Sequence, residues 1–305
     1  MEKYVGIDIG GSFIKYGIVT ETGELLFSDK CPTDRTNSER VIDKLVDIIL
    51  KLKHEYGIDR VGISIPGVIN KNNKMLTSGA LDGMYKVDVS QILAERTQTH
   101  IVLINDANAI AYAEKWLGAA KHSDNFVCLP LGTGVGGAIF INGHLIKGRS
   151  GAAGEFGMML MGLGKHEPIA YESASFYCGA VAGLCRIYNL KLGNKDIATW
   201  ERDIKVILEL AESGQQAAQE SLSEFYENTA VLLLNISLTI DPEAIIIGGG
   251  ISENTTIMSG IKAAVDQLLE RYSDMSALGF PEIKSCVLGN TAGMIGAVYQ
   301  MIEKQ

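Results

Sequence analysis

The chain has only six prolines in 305 residues and no run of Lys or Arg. Few prolines leave long stretches open to helices and strands. The missing basic run argues against nucleic acid or an anionic membrane as a partner, because affinity for either is built from clustered positive charge. The balance of 27 basic against 36 acidic side chains, a net charge of −9, points the same way. Long apolar runs are absent too. Ala230 to Ile240 is the longest candidate, about half of what a bilayer requires, and it contains Asn235 and Ser237; a buried helix is expected there. Cys31, Cys128, Cys178, Cys185 and Cys286 are odd in number and irregularly spaced, which excludes a disulfide framework. Met1 to Asp8 enters a strand-like pattern at once, without a charged or apolar leader region, so a cytoplasmic protein is expected.

With 47% hydrophobic and 21% charged residues, the length suits roughly two domains. The one excess is glycine, 34 residues against a usual share of about 7%.

Val5 to Asp8 alternates as a strand, Gly10-Gly11 interrupts it, Phe13 to Val19 resumes it, and Glu21 to Glu24 turns into Leu25 to Phe27. A helix is predicted over Ser38 to Glu55, strands over Arg60 to Ile65 and Ile101 to Ile104, and a helix from Asn105 to Leu117, in the order βββαβαβα. From Phe126 a similar hairpin begins again: Phe126 to Leu131, the break Gly132-Thr133-Gly134, then Val135 to Ile141 and Leu145-Ile146. Helical stretches near Tyr171 to Tyr188 and Gln219 to Ile240, a strand at Ala244 to Ile247, a helix over Thr256 to Tyr272, a strand around Ile283 to Leu288 and a last helix over Ala292 to Glu303 follow. This approximate duplication predicts two similar lobes around a cleft. The first is expected to comprise residues 1–118 with the terminal helix, about 290–305, and the second residues 119–289.

The glycines cluster where chemistry is expected. Asp8-Ile9-Gly10-Gly11-Ser12 is either a tight hairpin or a turn whose N–H groups cradle phosphate, with Asp8 placed to hold Mg²⁺ through water. Gly132 to Gly137 is its counterpart, and the dinucleotide-binding reading fails there because the segment opens a strand. Gly248-Gly249-Gly250 ends an apolar strand and precedes a helix, as either a crowded strand-to-helix turn or a flat opening suited to adenosine. Asn105-Asp106 serves as a helix cap, as a catalytic carboxylate, or as both. Glu155 lies among Gly151, Gly154 and Gly157, which favours ligand binding, whereas Glu172 alone is equally well a helix N-terminal charge.

Together, Asp8 to Lys15, Asn105 to Asn108, Gly132 to Gly137, Gly154 to Gly157 and Gly248 to Ser252 resemble, in order and over nearly the whole chain, the motifs of the ROK (repressor, open reading frame, kinase) family. The resemblance implies an α/β, actin-like ATPase fold (hexokinase-type, ribonuclease H-like) and transfer of phosphate from ATP with Mg²⁺ to a sugar hydroxyl. It implies Asp106 as base, and Asn105, Glu155, Glu172, Ser64, Gly67 and Gly79 on the sugar. Asp8, Gly10, Gly11, Ser12, Lys15, Gly132, Thr133 and Gly134 would serve the phosphates and metal, and Gly249 and Gly250 the adenosine. A homodimer is also in keeping with the resemblance. Two departures stand out: Met158 replaces the family's frequent His, and Phe156 to Tyr171 has no cysteine, so no zinc site is expected. Cys178, Cys185 and His166 make a poor substitute. The acceptor expected is a β-glucoside or glucose-type sugar phosphorylated on its 6-OH, with N-acetylmannosamine kinase, fructokinase and a non-catalytic sugar sensor as alternatives. With a strand expected from residue 4 and a net charge of −9, DNA binding is not expected.

Overall fold

The order expected for the first part of the chain is the order found in the computed structural model, which describes residues 1–303 except Ser78, Ala80, Asp82 and His166. The elements are β1 (Lys3–Ile9), β2 (Phe13–Thr20), β3 (Leu25–Pro32), α1 (Ser38–Tyr56), β4 (Arg60–Ile65), α2 (Val89–Thr97), β5 (His100–Asn105) and α3 (Asp106–Leu117). They continue with β6 (Phe126–Pro130), β7 (Ala138–Ile141), β8 (His144–Leu145), α4 (Ala174–Cys178), α5 (Arg186–Lys191) and α6 (Ile204–Glu212). The last are α7 (Gln216–Ile240), β9 (Ala244–Gly248), α8 (Thr255–Glu270), β10 (Glu282–Ser285) and α9 (Ala292–Glu303). Two units form: Met1–Ser123 with Ala138–Ala153 and the chain from Val287 onward, and Asp124–Gly137 with Gly154–Cys286. The segment 138–153, which holds β7 and β8, groups with the first unit rather than with the sequence that surrounds it.

In the first unit the sheet order is β3-β2-β1-β4-β5. The meander β1 to β3 is antiparallel, while β1, β4 and β5 run parallel, with Asp8 opposite Ser64 and Ile65 opposite Asn105. Helix α1 starts where the Asn37 side chain accepts from Arg40 N–H at 3.1 Å, and ends at Gly57, whose φ of 68° allows the left-handed cap. Its apolar stripe, Val41, Leu45, Ile48, Ile49 and Leu52, is buried with Val5, Ile7, Val61 and Ile63 of the sheet. Helix α9 lies on β1 and β4 at very short range, and a Cβ on Gly62 would collide with the Ala297 carbonyl. Val298 and Met301 of α9 are buried with Tyr4, Val19 and Val102.

The second unit carries β10, β9 and β6 side by side and parallel. The apolar stretch from Ala230 is the second half of α7, with Leu232, Leu233 and Ile236 buried. Among the described residues no helix is long and apolar enough to cross a membrane.

Three expectations need correction. The stretch Tyr171 to Tyr188 is not one helix but a 3₁₀ turn at Ile169–Glu172, then α4, a π-helical segment at Ala180–Cys185, and α5. The break falls at Gly179, which packs against Gly134 Cα and the Thr133 carbonyl. Helix α6 was not anticipated, although Asp203 caps it by accepting from Lys205 N–H at 2.9 Å. Strand β7 begins at Ala138 rather than Val135, because the preceding residues are held in a turn.

Candidate active site

Within the first unit the parallel strands end in a row of polar residues. Asp8 lies near the end of β1, Ser64 near the end of β4, and Asn105 closes β5. From β1 to β5 is two strand spacings, roughly 10 Å. Ligands of open α/β sheets bind at this carboxyl edge.

Asp106 is the first residue of α3 and its Oδ1 accepts from the Asn105 amide at 2.9 Å and from Ala107 N–H at 2.9 Å. Asn105 Oδ1 caps the helix at Asn108 N–H, 3.1 Å, and its amide nitrogen also donates to the Gly67 carbonyl at 3.1 Å. Both amide hydrogens are therefore committed, and Asn105 offers a sugar only remaining lone-pair capacity on Oδ1. Gly67 has φ of 103°, and its N–H lies beside Gly79. The structure thus gathers Asp106, Asn105, Gly67 and Gly79 along one chain of contacts; Ala80, beside Gly79, lies outside the described residues.

Ser64 is fully buried and its hydroxyl donates to Asp8 Oδ1 at 2.7 Å. Burial pushes the Asp8 carboxyl above the usual 3.8, against the Ser64 hydrogen bond and the Lys15 charge, which lower it. Lys15 Nζ stands 3.7 Å from Asp8 Oδ2 and donates to Asn290 Oδ1 at 3.0 Å. Gly293, at the start of α9, presses directly on the Asp8 carboxylate and has no room for a Cβ. Neither Asn290 nor Gly293 was singled out from the sequence, since only the fold brings α9 to β1. At the turn after β1, Gly10 N–H donates to Phe13 C=O at 2.9 Å and closes the hairpin, so the amide exposed to a ligand belongs to the tip, at Gly11 and Ser12.

The second unit builds its counterpart around Ser175. In the turn after β6, the Gly132 and Thr133 carbonyls accept from Ala180 N–H at 2.8 Å and Ala182 N–H at 2.9 Å, and Val135 N–H donates to Ser175 Oγ at 3.1 Å. Gly134 and Gly157 also abut Ser175 Oγ. This docking fixes the turn and leaves the Thr133 side chain exposed. Ser175 and Gly179 are further positioning residues that the sequence did not disclose.

Glu155 follows Gly154, whose φ is 87°, and burial pushes its carboxyl above the ordinary 4.5 of a glutamate. Glu172 is 2% exposed, and its carboxylate accepts from Gly164 N–H while packing on Gly162. In this structure it holds the short loop from Met159 to Ser173.

After β9, Gly249 adopts φ of 80°, and Gly250 has nothing within 4 Å of where a Cβ would stand. Beside Gly250 is a cavity of about 450 Å³, lined on its apolar side by Ile204 and Leu208 of α6 and by Ile251 and Ile257. That volume and lining suit an aromatic base. Burial pushes the Cys178 and Cys185 thiols up to about 12; His166 lies outside the described residues.

Two α/β units, each with a glycine turn opening from the carboxyl end of a strand, define the actin-like ATPase, hexokinase-type fold. The chain belongs to the ROK family, which its residues 4–304 match. It is 28% identical to a β-glucoside kinase of Listeria innocua, over 99% of this chain and 98% of that one. It is 30% identical to a glucokinase of Thermotoga maritima, over 97% and 96%. Among solved structures it resembles a ROK family glucokinase of Streptomyces griseus in complex with glucose and AMPPNP, with a TM-score of 0.80 and 25% identity over 100% of both chains.

Proposed function

We infer that this protein is an ATP-dependent carbohydrate kinase that phosphorylates a primary hydroxyl, the 6-OH of a hexose unit. The observation that carries the reading is the Asp106 carboxylate. It is fixed at a helix N-terminus by Asn105 and Ala107, on the same strand edge as Asp8.

Asp106 accepts the proton of the acceptor hydroxyl as its oxygen bonds to the γ-phosphorus, and the bond to the ADP oxygen breaks with its electron pair leaving on ADP. Asn105 aligns that carboxylate with the Gly67 loop. Glu155 takes further sugar hydroxyls, and Glu172, bonded to Gly164 N–H, holds the loop that follows Glu155. The phosphates are received by Gly11, Ser12 and Lys15 and by Thr133 and Gly134, and the adenosine by Gly249, Gly250 and the cavity beside them. At Asp8 the fit to a hydrated Mg²⁺ rests on one partly exposed carboxylate held by the Ser64 hydroxyl, because this ion keeps several waters and needs few protein ligands, while the Lys15 ammonium is left to the phosphates. When bound, the ion would neutralise phosphate charge.

For the acceptor, we favour a β-glucoside or glucose-type sugar. Met158, Leu160 and Leu163 follow Glu155 with 62%, 48% and 83% of their surface exposed, an apolar border suited to an aglycone. A coupled assay of ADP release tests this with glucose, an aryl β-glucoside, cellobiose, fructose, N-acetylmannosamine and N-acetylglucosamine. Turnover is expected to be fastest with a glucoside or glucose. Fastest turnover on an N-acetylated sugar or fructose would displace that choice, and no turnover with any sugar would leave a sensor instead of an enzyme.

A further inference from the structure

A second cavity, of about 350 Å³, lies wholly within the first unit at β5, the edge strand of its sheet. It shares only Asn105 with the residues assigned above. Its floor is Leu103 and Ile104, and its walls carry Asn70, Asn73, Asn108 and Gln300 together with Lys71 and Lys147. Among the described residues no carboxylate lines it.

Two features set it apart from a packing gap. Asn108 and Gln300 are 9% and 1% exposed, and their amide oxygens Oδ1 and Oε1 are buried without a hydrogen-bond partner. A buried acceptor left unmade is destabilising, so two beside one cavity point to a ligand that brings donors. The flanking cations require the same ligand to carry negative charge. Hydroxyl donors and an anionic group on one molecule of this size describe an anionic sugar.

We propose that this cavity is a binding site for a sugar phosphate or sugar acid, separate from the acceptor site of the proposed kinase reaction. Hydroxyls of the ligand pair with the Asn108 and Gln300 amides, and its phosphate or carboxylate sits between Lys71 and Lys147. An apolar ligand would leave both amides unpaired, and a cation would face two like charges.

Isothermal titration of the whole protein, without nucleotide, tests the site with glucose 6-phosphate, gluconate and uncharged glucose as probes. The wild type should bind at least one of the two anions, and which one tells phosphate from carboxylate. Affinity for it should fall about tenfold or more in Lys71→Ala/Lys147→Ala, as expected for charge-assisted hydrogen bonds, and stay within about twofold in Glu155→Gln. Both lysines are exposed, so the double variant should fold normally. The site is overturned if neither anion binds, if the double variant binds as the wild type does, or if Glu155→Gln alone abolishes binding, which would mean occupancy of the acceptor site. Glucose titrations report on that acceptor site independently, so a failure of the kinase reading is seen separately.

Discussion

At the start of α3 the sequence left three readings of Asn105-Asp106 open, a helix cap, a catalytic carboxylate or both, and the structure divides the pair. As the first residue of α3, Asp106 belongs to a capped helix start, yet the cap itself comes from Asn105. That division leaves Asp106 able to take a proton. Asp106→Asn should lower kcat by about 10²-fold or more, the usual contribution of a general base, with nucleotide affinity retained; near-normal turnover would remove it from the role. The Asn105 amide, by contrast, is spent on Gly67 and Asp106, which no reading of residue types could show. Glu155 carries a pH signature. Its carboxyl is raised by burial, so it takes up a proton at a higher pH than an ordinary glutamate would. As pH falls through that raised value the acceptor for a sugar hydroxyl is lost, and the sugar KM should climb while an exposed glutamate would still be ionised. Glu155→Gln should raise KM more than it lowers kcat and abolish this acidic limb. A limb that persists in the variant would assign it to another group.

Elements with a strong period were legible, and those shaped by close packing were not. Helix α9 begins and ends where its apolar period does, and α1 and α7 lie within three residues of their expected limits. The run from Tyr171 to Tyr188 has helical composition but is broken because Gly179 must meet the glycine turn after β6. That demand lies some 45 residues away in sequence and leaves no local mark beyond the glycine itself. The turn after β9 offers a sharp contrast between neighbours. Gly250→Leu meets open space and should keep its Tm while raising the ATP KM by about tenfold or more, as binding falls by about 1.4 kcal/mol or more. Gly249→Ala, forced to hold φ near 80° against the Leu131 carbonyl, should instead destabilise the fold by about 1–3 kcal/mol. A similar test applies at the end of α3, where the fully buried Glu114 accepts from the N–H groups of Ala119, Val287 and Leu288. Glu114→Ala strands three donors and should cost about 3 kcal/mol or more in chemical denaturation, with Glu114→Gln recovering part of it. An unchanged midpoint for the alanine variant would show that water replaces the carboxylate.

For the whole molecule, the repeated glycine hairpin predicted two α/β units, and the expectation of an actin-like fold came from the resemblance of five motifs, in order, to one family. The assignment of residues 138–153 to the first unit could not be read, because sequence order and compactness diverge there. The candidate site was legible as motifs but not as partnerships: Ser64 with Asp8, Lys15 with Asn290, and Gly293 against Asp8 all depend on chain segments that meet only in the fold. What the two units are proposed to do together is move one phosphoryl group. The most direct check is to supply γ-³²P-labelled ATP with whichever acceptor releases ADP fastest, and to separate the products. Label should appear in a sugar 6-phosphate in step with ADP, and Asp106→Asn should slow that transfer by about 10²-fold or more. Label found only in inorganic phosphate, or transfer unaffected by Asp106→Asn, would contradict phosphorylation of a sugar by this carboxylate.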